Sequence, residues 1–401
     1  MSTSAGGLSR RRVAGASAAS SANADDDWSS TSNNPTPNGT TPSSPTTGTG
    51  SAGGGVAHSH AGSAFEGGSK IAYDPRDLDR DREEARAGGK MPRLTIMEEV
   101  LLLGLKDKQG YLSFWNDNIS YALRGCILIE LALRRRIALV KHANRRQMPL
   151  ADRVVEVIDD RQTGETILDE TLKMMKSQEG ERMSINAWID LLSGETWNVM
   201  KIGFQLKQVR ERLAKGLVDK GVLRTEKRNF LLFDMATHPV ADVRTKESVV
   251  ARAVALLTAT TSSIPPQALD KEGVQNRATR AVCLVCAAYA ASVLDNAFGR
   301  LTYEDREAAF QRCDEILGEF AVWPFGSASS SSSSTGGGSM GSGAPRRRES
   351  SRIGMGSSAS GRESVLGLLQ EVRREMQGEE DVGFELVAGV LEVLSKLDSL
   401  L

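Results

Sequence analysis

Three groups of residues in this 401-residue chain have types and spacing suited to chemistry. Cys283-Leu-Val-Cys286 has the two-residue gap of a redox or zinc pair, which requires a reactive thiolate or a second pair of ligands. No second pair follows, and both thiols fall in the Ala-rich, helix-forming run 281–291, so the pattern fits core packing. His142 and His238 are the histidines in the region expected to fold, no Gly-x-Ser-x-Gly elbow occurs, and Gly88-Gly89-Lys90 is followed by Met91 without full phosphate-loop spacing. A nucleophile with its base is not recognisable, nor is a metal cluster, and catalysis is not expected. The third group is cationic: Arg124, Lys207 and Arg210, together with Trp115. Two or three cations suit a phosphomonoester of charge about −2, where a forked guanidinium gives paired hydrogen bonds and an ammonium a point charge. Spacing alone, however, favours ordinary surface charges and a core aromatic.

The elements that carry these residues are mostly helical. Thr95 and Glu98 form a capping-box pattern that starts an apolar helix through Val100 to Leu105, stopped by the polar run 106–109 and Gly110. Asp117 is placed to cap a second helix reaching about Leu133, apolar on nearly every face from Cys126 onward except at Glu130, which therefore needs a partner. Trp115 and Arg124 sit near its start. Residues 154–160 and 165–168 suggest two short strands joined by the turn 161–164, then a helix through Leu172 to Lys176. Ser184 caps a helix over Ile185 to Leu192, and a turn at 193–195 leads to Trp197 and a basic helix that ends at Lys220-Gly221. On that helix Leu206, Val209, Leu213 and Leu217 form a stripe about 80° wide, with Arg210 ~20° and Lys207 ~80° beyond its edge. Arg212 and Lys215 point toward solvent. Residues 222–233 read as a β-hairpin in which a polar turn separates a short strand from an apolar arm, Phe230, Leu231, Leu232 and Phe233, and His238-Pro239 ends the element. Four consecutive large apolar residues demand burial in the core, in a partner subunit or in a bilayer.

Lys plus Arg number 50 against 51 Asp plus Glu, so the net charge of −1 predicts no global attraction to polyanions and any anion site must be local. No apolar run approaches the roughly 18 residues of a spanning helix, the N-terminus lacks the order of a secretory signal, and the four cysteines, at 126, 283, 286 and 313, suit reduced thiols. A cytosolic protein, or one held on the cytosolic side of a membrane, is expected. The fold class read from these patterns is mainly α: one helical-bundle domain with a protruding hairpin. Its expected organisation is a disordered arm over 1–92, a helical domain over 93–325, a low-complexity disordered insert over 326–364 and C-terminal helices over 365–401 completing the domain. The arm carries Arg10-Arg11-Arg12, the acidic Asp25-Asp26-Asp27-Trp28 and a sign-alternating stretch at 74–86 that suits a frayed helix. The insert carries Arg346-Arg347-Arg348-Glu349-Ser350, a weak basic-directed kinase pattern.

The run LTIMEEVLLLGLKDKQGYLSFWNDNISYALRGCILIELALRRRIAL over 94–139 and the run LLSGETWNVMKIGFQLKQVRERLAKGLVDKGVLRTEKRNFLLFDMATHP over 191–239 closely resemble the Golgi phosphoprotein 3 family. Weaker similarity continues through 277–298 and 384–401. The resemblance implies a mostly helical peripheral protein on the cytosolic face of the Golgi, without cofactor, that binds phosphatidylinositol 4-phosphate. It also implies linkage of the cytosolic tails of glycosyltransferases to coatomer for retention and retrograde transport. Trp115, Arg124, Lys207 and Arg210 match the family's lipid-binding positions, Lys207 standing where Arg or Lys is expected. Arg10, Arg11 and Arg12 match its arginine-bearing tail, which docks on coatomer, and Phe230 to Phe233 its hairpin for homo-oligomerisation or shallow membrane insertion. The 326–364 insert is not a feature of that family. An alternative is a winged-helix nucleic-acid binder, since a basic helix, Gly221 and a hairpin occur in that order. The net charge and the apolar hairpin argue against it, and no nucleic-acid partner is expected.

Overall fold

The structure, a computed structural model, describes residues 89–112, 118–195, 199–230, 233–327, 357–378 and 380–397. Trp115, Asp117, Trp197, Leu231, Leu232, the arm with Arg10 to Arg12, and most of the insert with Ser350 lie outside the described residues. Among the described residues, ten α-helices and two antiparallel strand pairs follow in the order α1 (Ile96–Gly104), α2 (Asn118–Leu133), β1 (Ile137–Leu139), β2 (Val155–Val157), α3 (Thr166–Ser177), α4 (Ile185–Ser193) and α5 (Val209–Asp219). The chain continues through β3 (Glu226–Phe230), β4 (Phe233–Thr237), α6 (Val243–Leu257), α7 (Arg277–Ala290), α8 (Tyr303–Phe320), α9 (Ser357–Glu375) and α10 (Val382–Ser395). The mainly helical class read from the sequence is the one observed.

Helix α2 is the centre. Every residue from Ala122 to Leu133 is buried, and the helix packs against α1, α4, α7 and α10. Gly125 allows the close approach of α10, because a Cβ there would stand 3.0 Å from Leu394 and 3.2 Å from Val390. The capping box of α1 is complete: Glu98 N–H donates to Thr95 Oγ1 at 3.3 Å and Thr95 N–H to Glu98 Oε2 at 2.8 Å. All nine α1 residues are buried.

Glu130 finds the partners its position demands. Arg280 donates through both terminal nitrogens at 3.0 and 2.9 Å, Arg134 Nε at 2.8 Å, and the Ile96 N–H at 3.2 Å. Burial alone would raise its carboxyl, but the charges of Arg280 and Arg134 outweigh that cost and hold the group well below the ordinary carboxylate range. One carboxylate thereby ties α1, α2 and α7 together.

Three local expectations are corrected. Strand β2 pairs antiparallel with β1, Ile137 opposite Val157, whereas residues 166–168 begin α3, so the suggested pairing of 154–160 with 165–168 does not occur. The basic helix does not run unbroken from Trp197. Residues Val199–Phe204 form a 3₁₀ turn, Gln208 takes a left-handed φ of 51°, and α5 starts at Val209. The stripe is nevertheless buried, Leu206 included. In the hairpin Phe230 pairs with Phe233, and the polar residues Glu226 to Asn229 lie in strand β3 rather than in the expected polar turn.

Candidate anion-binding site

The end of α4 and the start of α5 meet over the first turns of α2, and the cations collect there. Ser184 Oγ accepts the Ala187 N–H at 3.3 Å to begin α4, and Gly194, at φ 85°, ends it in the left-handed conformation that glycine adopts without cost. The side chain of Gln205 fills the space a Cβ on Gly194 would take, and its Nε2 donates to the Ser193 carbonyl at 3.3 Å. Tyr121 Oη donates to Asp190 Oδ1 at 2.6 Å, fastening α2 to α4. Burial raises the Asp190 carboxyl, and the Tyr121 hydrogen bond partly offsets it. Leu206 N–H donates to the Leu192 carbonyl at 3.0 Å, which stitches the segment entering α5 onto the end of α4.

Arg124 lies under this junction. Its Nη1 donates to the Ser120 carbonyl at 2.7 Å, Nη2 to the Leu206 carbonyl at 2.7 Å and Nε to the Leu192 carbonyl at 3.3 Å. All three acceptors are neutral. Desolvation lowers its pKa to about 10, and the positive charge of Arg210 pushes in the same direction. The other buried cations have carboxylate partners: Arg280 with Glu130, Arg153 with Glu385, Arg312 with Glu315 and Lys246 with Asp107. Among the described residues Arg124 is the one buried cation with no such ion pair. Such a charge is costly to keep unless an anion completes the site.

Lys207 directly follows the carbonyl that Arg124 holds, Arg210 lies on the first turn of α5, and both are exposed. The structure therefore brings three of the four sequence candidates to one place, though Lys207 sits ahead of the helix rather than on its face; Trp115 lies outside the described residues. Arg212 is half-buried and paired with Glu170, not free in solvent as expected. Sequence reasoning placed Gly194 in the turn that ends this helix but missed Gln205 and the carbonyls of Leu192 and Leu206, the two carbonyls being ones that orient Arg124. Ser193 Oγ, beside this junction, is buried without a hydrogen-bond partner among the described residues. No group of three or more potential metal-binding side chains occurs among those residues, and no helix of theirs is long and apolar enough to cross a membrane. The four cysteines are all buried and reduced.

Fold and site together define a helical protein with one buried and two exposed cations that no carboxylate among the described residues neutralises. A family model described as Golgi phosphoprotein 3 (GPP34) matches residues 96–329. The chain is also 51% identical over 346 residues to vacuolar protein sorting-associated protein 74 of Schizosaccharomyces pombe, covering 86% of this chain and 93% of the relative. To the protein of the same name in Eremothecium gossypii it is 45% identical over 338 residues, covering 83% and 90%. The chain belongs to the Golgi phosphoprotein 3 family.

Proposed function

We propose that this protein is a peripheral adaptor on the cytosolic face of the Golgi that binds phosphatidylinositol 4-phosphate and links glycosyltransferase tails to coatomer. The observation that carries the lipid part is Arg124: a buried guanidinium bonded to carbonyls, with Arg210 and Lys207 beside it and no carboxylate among the described residues to balance them. A 4-phosphomonoester of charge about −2 would supply that balance, with forked bonds from Arg210 and a point charge from Lys207. Trp115 would stack on the inositol face or enter the headgroup layer, where indoles are favoured. Each cation near an anionic leaflet adds about 1 kcal/mol, so a single site binds reversibly. Self-association through the apolar residues Phe230 to Phe233 would turn weak sites into avidity. Family membership and relatives named for vacuolar protein sorting support the trafficking role. The cations Arg10, Arg11 and Arg12 of the arm would meet the coat.

The test is reconstitution: vesicles bearing the lipid and a tethered glycosyltransferase tail peptide, the full chain, and purified coatomer. Coatomer should sediment with vesicles only when the chain is present. Replacing Arg10, Arg11 and Arg12 by Ala should remove coatomer while leaving the chain on the vesicles. Coatomer recruitment unaffected by those replacements would contradict the assigned role of the arm.

A further inference from the structure

The large apolar side chains that stay exposed among the described residues are scattered, at Met148, Ile158, Val243, Tyr303 and Leu366, except in one place. In the turn Val199–Phe204, Met200 is 87% exposed and Ile202 47% exposed, and Met200 is the most exposed of the set. The turn is held from below. Phe204 packs against the core, Leu206 is fully buried, and Lys201 Nζ bonds Glu181 at 2.9 Å, which neutralises the one charge on the turn. Above Gly203 is open space, since a Cβ there would meet nothing within 4 Å.

The turn is continuous with the cation site. Gln205 N–H donates to the Ile202 carbonyl at 3.2 Å, and the carbonyl of the next residue, Leu206, is the one Arg124 grips at 2.7 Å. Lys207 and Arg210 follow. Two exposed apolar residues and two cations not paired to carboxylates among the described residues thus lie within one short stretch of backbone, whose Leu206 carbonyl is held by the third such cation, Arg124. An anionic bilayer matches both the apolar pair and the cations, with phosphate at the level of the cations and hydrocarbon just below it.

We propose that the Val199–Phe204 turn is an apolar wedge, with Met200 and Ile202 entering the headgroup–acyl boundary of an anionic bilayer while Arg124, Lys207 and Arg210 hold a lipid phosphate. This rests on the lipid reading above and adds a second contact that reads the bilayer rather than the headgroup. The wedge makes membrane-embedded lipid a better ligand than the same headgroup in water.

The test uses the full chain and two probes: water-soluble glycerophosphoinositol 4-phosphate, and phosphatidylcholine vesicles containing phosphatidylinositol 4-phosphate. The variant Met200→Ser/Ile202→Ser should keep its affinity for the soluble headgroup and lose about tenfold in vesicle affinity, the scale expected for two partly buried apolar side chains. In a second variant, Met200→Cys carries an environment-sensitive fluorophore; the native cysteines are all buried, so labelling is selective. Its emission should shift to the blue on vesicle binding and be quenched by acyl-chain spin labels. A label that stays aqueous on bound vesicles, or equal vesicle affinity of the double-serine variant, overturns the wedge while headgroup binding leaves the phosphate site standing. A label already shielded without vesicles, with the chain self-associated, assigns the turn to a second copy and overturns the wedge. Absence of headgroup binding by the unmodified chain overturns both readings together.

Discussion

Arg124 is buried by the same contacts that orient it, and this makes its substitution ambiguous. Arg124→Ala removes the proposed ligand and also leaves the carbonyls of Ser120 and Leu206 short of a donor, at a cost of roughly 1–3 kcal/mol. Lys207 and Arg210 are exposed and accept no such structural duty. Lys207→Ala/Arg210→Ala should therefore leave the melting temperature within about 2 °C of the parent, as surface substitutions do. The same change should abolish measurable headgroup binding in a calorimetric titration. Arg124→Ala should lose both. A second residue contributes to the pH response. Burial raises the Glu99 carboxyl to about 7, with Arg252 pulling it partly back. The folded chain thus holds a proton that the unfolded chain releases near 4.5, and this group's contribution to stability falls as pH rises across that window. The change is on the order of 3 kcal/mol. Glu99→Gln should flatten it, as compared by urea unfolding at about pH 5 and about pH 7. The cations were singled out in the sequence by the family resemblance, since residue type and spacing alone favoured ordinary surface charges. The carbonyls that hold Arg124 were not, since Leu192 and Leu206 look like ordinary core leucines and their acceptor role arises only when α4 and α5 converge.

At the scale of elements, helices with local signals were readable and their interruptions were not. Thr95-x-x-Glu98 and Ser184 mark helix starts through bonds made within four residues, so the sequence contains the whole interaction. The break at Gln208 has no such signal: Leu206, Val209, Leu213 and Leu217 are buried whether or not the helix is continuous, because Leu206 is held by backbone bonds to α4 instead. The β1–β2 pairing was likewise invisible, as its partners are separated by a long connection. Two predictions belong here. Gly194→Ala would strain a left-handed residue and displace Gln205; it should cost about 1–2 kcal/mol and weaken headgroup binding, seen in paired denaturation and titration. Glu130→Ala would strand Arg280 and Arg134 in the core, and roughly 3–5 kcal/mol of stability should be lost with the α1–α2–α7 junction first to open in hydrogen exchange.

The whole chain is nearly neutral, so the proposed membrane attraction is a matter of placement. Cations at the α4–α5 junction act over a Debye length of about 8 Å at physiological salt, which favours selection by geometry over collection of any anion. The bundle supplies that geometry: α2 fixes Arg124, and the two segments packed over it set where Lys207 and Arg210 stand. The general architecture was legible because a mainly apolar central helix has few alternatives to burial. The measurement that bears most directly on the account is co-sedimentation of the full chain with vesicles of matched total charge that differ only in the position of the inositol phosphate. The account predicts preference for the 4-phosphate that vanishes in Lys207→Ala/Arg210→Ala while helical content stays unchanged. Equal binding to every anionic vesicle, or binding that survives loss of both cations, would contradict it.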